Sequence, residues 1–317
     1  MKKIIIIIVL YIFFKIFINY QNILLDINNI TLIFIKNIFP SLFLFFIISS
    51  LLSNYGFIDL ISNSVGKIIS KLFNVSPVSS YVIIMSMFSG FPSSAKYIKE
   101  LLDSKKINNL EAEKVLLSSH FANPLFILSI IPEYSLLIII CHFITNFILA
   151  FIFRNFNGKF NNNLKIKNVS ISFSKLLNKS IEDIMHISLN LLGIIVFFYV
   201  LSNLLNIKIL TYFLEMTSSI TILLKENINL KYKYALITGI LSFGGISVHM
   251  QVFNILEKEK IRYKPYLISR LLHMIISILL FLLLYWNIIY FWIKLIYNFY
   301  PKIFVRIFFI FNWNINY

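Results

Sequence analysis

Long, unbroken apolar runs constrain this chain more than any other feature. Ile4 to Ile18, Ile38 to Ser53, Tyr134 to Phe153, Ser188 to Leu205 and Pro265 to Trp286 approach or exceed the roughly 20 residues that cross a bilayer core. Only helices and closed barrels span a membrane, because each backbone N–H and C=O needs an internal partner. The runs are continuous rather than alternating, which excludes a barrel. Hydrophobic residues make up 59% of the chain and charged ones 13%, against about 25% charged in a soluble domain. The fold class is therefore an all-α polytopic membrane protein.

The net charge is +16. Most lysines lie in loops between apolar runs, where they fit the positive-inside rule and attraction to anionic lipid headgroups. No nucleic-acid reader motif accompanies them, so the expected partner is membrane lipid and not nucleic acid. The segments 54–80 and 154–180 are expected on the cytoplasmic side, as is the N-terminus. Residues 22–37 and the stretch Phe57 to Phe73, with Asp59, Lys67 and Lys71 among apolar positions, read as interfacial. One cysteine, Cys141, excludes an intramolecular disulfide and any cysteine-based metal site.

Two apolar stretches are too short to span. Tyr81 to Phe88 breaks at Ser89-Gly90-Phe91-Pro92-Ser93-Ser94, and Tyr234 to Phe243 breaks at Gly244-Gly245-Ile246-Ser247. A shift of 154 positions superposes them without a gap. It pairs Gly90 with Gly244, Ser93 with Ser247, Leu102 with Leu256, Asp103 with Glu257 and Lys106 with Lys260. A helix broken inside a membrane leaves N–H groups that must be buried in protein or face a water-filled cavity. Paired interruptions in two halves are the sequence sign of a transporter-like binding site. The restarted helices would aim their positive dipole ends at the breaks, where a polar or anionic group could sit.

These residues carry a family resemblance. Ser89 to Lys96, Glu111-Ala112-Glu113-Lys114 and Ala122-Asn123-Pro124-Leu125-Phe126-Ile127 resemble motifs of the YlbJ family of sporulation integral membrane proteins. So do Phe243 to Gln251, Arg262-Tyr263-Lys264-Pro265-Tyr266, Arg270-Leu271-Leu272-His273 and Phe39-Pro40-Ser41-Leu42. The resemblance covers roughly residues 30–285. That family belongs to a wider group with the nucleoside-recognition, or Gate, domain, which is similar to the cores of concentrative nucleoside transporters and to the membrane gates of ferrous-iron transporters. The resemblance implies two inverted Gate-type repeats with broken or re-entrant helices, acting in endospore formation. The expected organisation is an anchor (1–30), a first repeat (31–153), a basic loop (154–180), a second repeat (181–286) and a C-terminal membrane or interfacial segment (287–317).

Ionisable residues at membrane depth are costly and point to function. The candidate substrate-binding set is Ser89, Gly90, Pro92, Ser93, Ser94, Lys96, His120, Asn123, Glu215, Gly244, Gly245, Ser247, His249, Gln251, Arg270 and His273. Arg270 and His273 share a helix face, and Glu215, inside an apolar helix, is the expected partner of Arg270. Pro92 suits the first turn of a restarted helix. The serines are expected to cap the half-helices. The five histidines show no metal-ligand spacing, and no nucleophile-elbow, zinc-protease or nucleotide-binding motif occurs. No cofactor, no metal and no enzymatic activity are expected. The expected function is binding or passage of a small polar or anionic solute; the alternative is a non-transporting scaffold for spore-envelope (cortex) assembly. A homo-oligomer or other sporulation membrane proteins are the expected protein partners.

Overall fold

Helical periodicity sorts each long apolar run into two faces, and here the polar face is the buried one. In the computed structural model, which describes residues 2–160 and 172–299, all regular elements of the described residues are helices. On α10 (Ser135–Ile152) the buried side carries Cys141, His142, Thr145, Asn146 and Leu149, while Leu136, Ile140, Phe151 and Ile152 are exposed. On α16 (Tyr263–Phe299) Tyr266, Ser269, Arg270, His273, Ser277 and Phe281 are buried, and Ile275, Leu279, Leu283 and Trp286 point outward. A surface that is apolar outside and polar inside suits lipid as solvent.

In chain order the first part contains α1 (Lys2–Ile18), α2 (Tyr20–Ile33), a π-helical turn (Phe34–Ile38) and α3 (Phe39–Asn54). The short α4 (Phe57–Asn63) and α5 (Val65–Phe73) follow, then α6 (Ser79–Ser89), α7 (Ser93–Asp103), α8 (Asn109–Ser118) and α9 (Pro124–Ile130) before α10. Between α10 and α16 lie α11 (Phe173–Leu205), α12 (Lys208–Leu214), α13 (Met216–Lys225), α14 (Leu230–Phe243) and α15 (Gly245–Ile255). Among the described residues, four stretches are long and apolar enough to cross a membrane: Ser135–Ile152, Phe173–Leu205, Leu230–Ile255 and Tyr263–Trp286. Two bent pairs, at 94° after Ile18 and 75° after Asn54, raise the number to six if each is one span.

The repeat seen in the sequence extends to element boundaries. The helices α6 and α14 end at Ser89 and Phe243, and α8 and α16 begin at Asn109 and Tyr263, both at the 154-position offset. In each unit a long helix leads into a broken pair, then a helix ending at glycine, then a restarted helix. The units differ where α16 runs on without interruption while its counterpart is split into α8 and α9. The basic stretch is shorter than expected, since α11 begins at Phe173 and Lys175 and Lys179 lie on it. Residues 161–171 of that stretch, and residues 300–317 of the C-terminal segment, lie outside the described residues.

Two expectations need correction. The stretch Phe57 to Phe73, read as one interfacial segment, is two helices meeting at Ser64, whose hydroxyl donates to the Leu60 carbonyl (2.6 Å). Folding back at this point lets Ile58, Ile61, Ile69 and Phe73 join one core with α6, α7 and α8. The apolar run Ile209 to Leu224 is likewise split, with Glu215 at the junction of α12 and α13.

Candidate functional site

The first break is held by backbone. Gly90 has φ 73° and ψ −176°, a region open essentially to glycine alone. The Phe91 N–H, freed by the break, donates to the Phe121 carbonyl (2.7 Å), so the break docks on the interruption between α8 and α9. Asn123 joins the two. Its Oδ1 accepts from the Leu125 (2.8 Å) and Phe126 (3.4 Å) N–H groups and caps α9, while its Nδ2 donates to the Ser89 carbonyl (3.3 Å). Pro92 stands at the N-cap of α7, where its missing N–H costs no hydrogen bond.

The second break is one residue long and held by side chains. Gly244 has φ 84° and ψ −14°. His249 Nε2 meets the Phe243 carbonyl and its Nδ1 the Tyr263 hydroxyl, both at 3.0 Å. A Cβ on Gly245 would lie 3.1 Å from the Leu214 carbonyl oxygen and 3.2 Å from Met216 N, so this break abuts the α12–α13 junction. There Glu215 Oε2 accepts from the Ser218 N–H (2.6 Å) and caps α13.

Between the two breaks lies a cavity of ≈ 50 Å³, with Ser89, Phe91, Pro92 and Asn123 on one side and Glu215, Thr217, Val248 and Gln251 on the other. Leu42, Leu191 and Ile195 close it from α3 and α11. Of the residues expected from sequence, the structure brings five to its wall: Ser89, Pro92, Asn123, Glu215 and Gln251.

The others sit elsewhere. Gly90, Gly244 and Gly245 shape the breaks. Lys96 pairs with Glu100 (3.2 Å) and lies 3.2 Å from the centre of the Phe46 ring. His120 bridges the units: it stacks on Phe91 (4.6 Å between centroids), its Nδ1 meets the Tyr266 hydroxyl (3.0 Å), and its Nε2 faces Gly244. The expected Arg270–Glu215 pair does not form, because Glu215 is engaged in capping α13. Arg270, fully buried, donates to the Leu117 carbonyl (2.5 Å) and Ser269 Oγ and meets His273 Nδ1 (3.0 Å). Serine capping is not found either. Ser89 Oγ donates back to the Met85 carbonyl, and Ser93, Ser94 and Ser247 Oγ have no hydrogen-bond partner. Both N-cap positions are filled by Pro92 and Gly244, which carry no acceptor side chain; Ser93, Ser94 and Ser247 lie beyond them, already in helix, and Ser89 lies before, at the end of α6.

Sequence reasoning passed over His142 and Asn146. His142 Nε2 accepts from the Ala122 N–H (2.8 Å), its Nδ1 meets Ser242 Oγ (3.1 Å), and its ring stacks on His273 (4.6 Å). Asn146 Nδ2 donates to the His120 carbonyl (3.0 Å). Polar residues four apart on one face of an otherwise apolar span were the available signal. The acidic motif also gains meaning: Glu111 Oε1 accepts from Ser76 N (2.6 Å) and Ser79 Oγ (2.7 Å) at the start of α6. Lys114 Nζ donates to the carbonyls of Asn74, Arg154 and Gly158.

Fold and site together define a multi-pass, all-helical membrane protein built from two similarly ordered units, each broken at a glycine beside a shared cavity. The sequence is 26% identical to the sporulation integral membrane protein YlbJ of Bacillus subtilis over 307 aligned residues, 80% of this chain and 75% of that protein. This likeness supports the resemblance to the YlbJ family of sporulation integral membrane proteins. No family model matches it, and no solved structure matches it.

Proposed function

We propose that this protein is permease-like, binding and passing a small polar solute, anions included, across a membrane of the sporulating cell. In this reading the two units are inverted relative to each other, as in the Gate-type group. One observation carries it: the cavity is walled by the first break and by the α12–α13 junction that abuts the second, with the N-caps of α7 and α13 (Pro92 and Glu215) both in its wall. Helix N-termini brought to one spot at membrane depth favour polar ligands. The volume of ≈ 50 Å³ holds a few waters or a small ion, so a larger solute such as a nucleoside requires the breaks to part. The reading is of binding and passage, not catalysis.

The test is uptake into liposomes holding the purified protein, with labelled phosphate, acetate, alanine and uridine as probes. Wild type is expected to take up at least one of them. Gln251→Ala, which changes the wall without touching a cap, should lower that uptake at unchanged thermal stability. Uptake of none, together with sporulation defects confined to variants that lower protein level, would overturn this reading in favour of the scaffold.

A further inference from the structure

A second and larger cavity opens near the far end of α3. It measures ≈ 240 Å³ and is lined by Ser50, Ser53 and Asn54 of α3, Glu100 and Ser104 of α7, and Lys179 and Asp183 of α11. The same three elements also border the inner cavity, through Leu42, Pro92 and Leu191. On α3, Leu42 and Ser50 are eight residues apart, about 12 Å at 1.5 Å per residue. The two cavities thus lie about 12 Å apart along α3.

Beside the apolar packing of Leu42, Phe46, Ile184 and Leu191 in the section between them, polar side chains are also buried. Lys96 is 8% exposed, and Ser93 and Ser188 are each 3% exposed. Ser188 lies on the buried stripe of α11 between Ile184 and Leu191. Ser93 Oγ and Ser188 Oγ have no hydrogen-bond partner. The Tyr97 hydroxyl faces Ser49, Ser89 and Ser93 without a partner of normal geometry. Buried polar atoms left unpaired call for water or a ligand. The Phe46 ring, 1% exposed, lies under the Lys96 ammonium. Glu100 holds that ammonium from the cleft side, and Asp183 and Lys179 are its other charged neighbours.

We infer that the seam between α3, α7 and α11 is the route by which small anions reach the inner cavity, with Phe46 as its plug and Lys96 as the charge that selects them. This deepens the permease reading and rests on it. When Phe46 turns aside, Ser93, Tyr97 and Ser188 supply hydroxyl donors along the opened section, and Lys96 supplies its positive charge. A cation meets the ammonium instead. A like charge in a narrow, low-dielectric passage raises the barrier to entry.

Thiol labelling tests the route without requiring a known solute. In a Cys141→Ala background, single cysteines replace Ser93, Ser188 or, as a cleft control, Ser104. Each is exposed to a negatively charged and a positively charged methanethiosulfonate reagent, and the rate is read by intact mass. The Ser104→Cys control should label with both. Ser93→Cys and Ser188→Cys should favour the anionic reagent by about tenfold or more, Lys96→Gln should remove that preference, and Phe46→Leu or Phe46→Ala should speed labelling. Silence at Ser93→Cys and Ser188→Cys in all three backgrounds while the control reacts would overturn the route. Rates indifferent to reagent charge and to Lys96 would overturn the role given to Lys96. Labelling as expected without uptake in liposomes sinks the permease reading and leaves an anion-accessible crevice; uptake with silent cysteines sinks the route alone.

Discussion

The two glycine breaks look alike in sequence and are built differently. At the first, Gly90 adopts a conformation nearly exclusive to glycine, and the freed Phe91 N–H is bonded to the Phe121 carbonyl of a second irregular segment. At the second, Gly244 and Gly245 both have positive φ, and the freed Phe243 carbonyl is met by the His249 ring. The first break is locked by main chain against main chain. The second is latched by a side chain on the restarted helix itself. A lock of the first kind resists motion, whereas a latch can release when one side chain turns.

Alanine at each glycine sharpens this contrast most. A Cβ on Gly90 would run into the backbone of Asn123, and its φ and ψ are barred to other residues. Gly90→Ala is expected to cost about 3 kcal/mol or more. A Cβ on Gly244 would meet His120 Nε2 at 3.0 Å and the Val248 side chain at 3.3 Å, neighbours that can shift. With the left-handed penalty, Gly244→Ala should cost about 1–2 kcal/mol. Thermal unfolding in detergent measures both, and equal losses would break the comparison. Next in size is His142→Ala. It strands the Ala122 N–H and empties space beside His273, a loss of about 2–3 kcal/mol. Its effect should appear as faster proteolysis around residues 119–123 and leave the second break unchanged. Smaller still is Asn123→Ser, which keeps a capping oxygen for α9 but is too short to reach the Ser89 carbonyl. A loss of about 1 kcal/mol is expected, and a loss as large as that of Asn123→Ala would show that the tie, not the cap, is what matters.

Much of this was legible in the sequence, for identifiable reasons. Membrane residence follows from run length, and the breaks from Gly90-Phe91-Pro92 and Gly244-Gly245, because backbone chemistry is local. Side-chain partners are not local. Glu215 and Arg270 looked like complementary charges, but the chain breaks at Glu215, and a helix start with unpaired N–H groups competes for the carboxylate. Arg270 then draws on the Leu117 carbonyl, a backbone group with no sequence signature. His142 escaped notice because it sits in the cleanest span of the chain, and its partner Ala122 offers only an N–H. Ser93, Ser94 and Ser247, expected at caps, were one or more residues too late, since proline and glycine already held the N-cap positions.

The smallest expected effect concerns one position that does different work in the two units. Asn108 caps α8 within its own unit by accepting from the Glu111 N–H (2.9 Å). The residue 154 positions on is Arg262, which reaches across instead. Its N–H and Nε donate to Glu113 Oε1 at 3.0 and 2.8 Å, and its Nη2 to Oε2 at 2.5 Å. Burial works to raise the proton affinity of Glu113, but the bonds from Arg262 and Asn157 outweigh it and hold the group below its ordinary value. A carboxylate depressed in the folded state adds stability that is complete above its unfolded pKa of about 4.3 and lost as pH falls through the lower folded value. Glu113→Gln should therefore be less stable than wild type at neutral pH, with the difference closing on acidification below about pH 4. Thermal unfolding in detergent from neutral to acidic pH reads this directly. A difference independent of pH would mean that Glu113 serves by shape and hydrogen bonding, and that the charge linking the two units contributes nothing to holding their walls together.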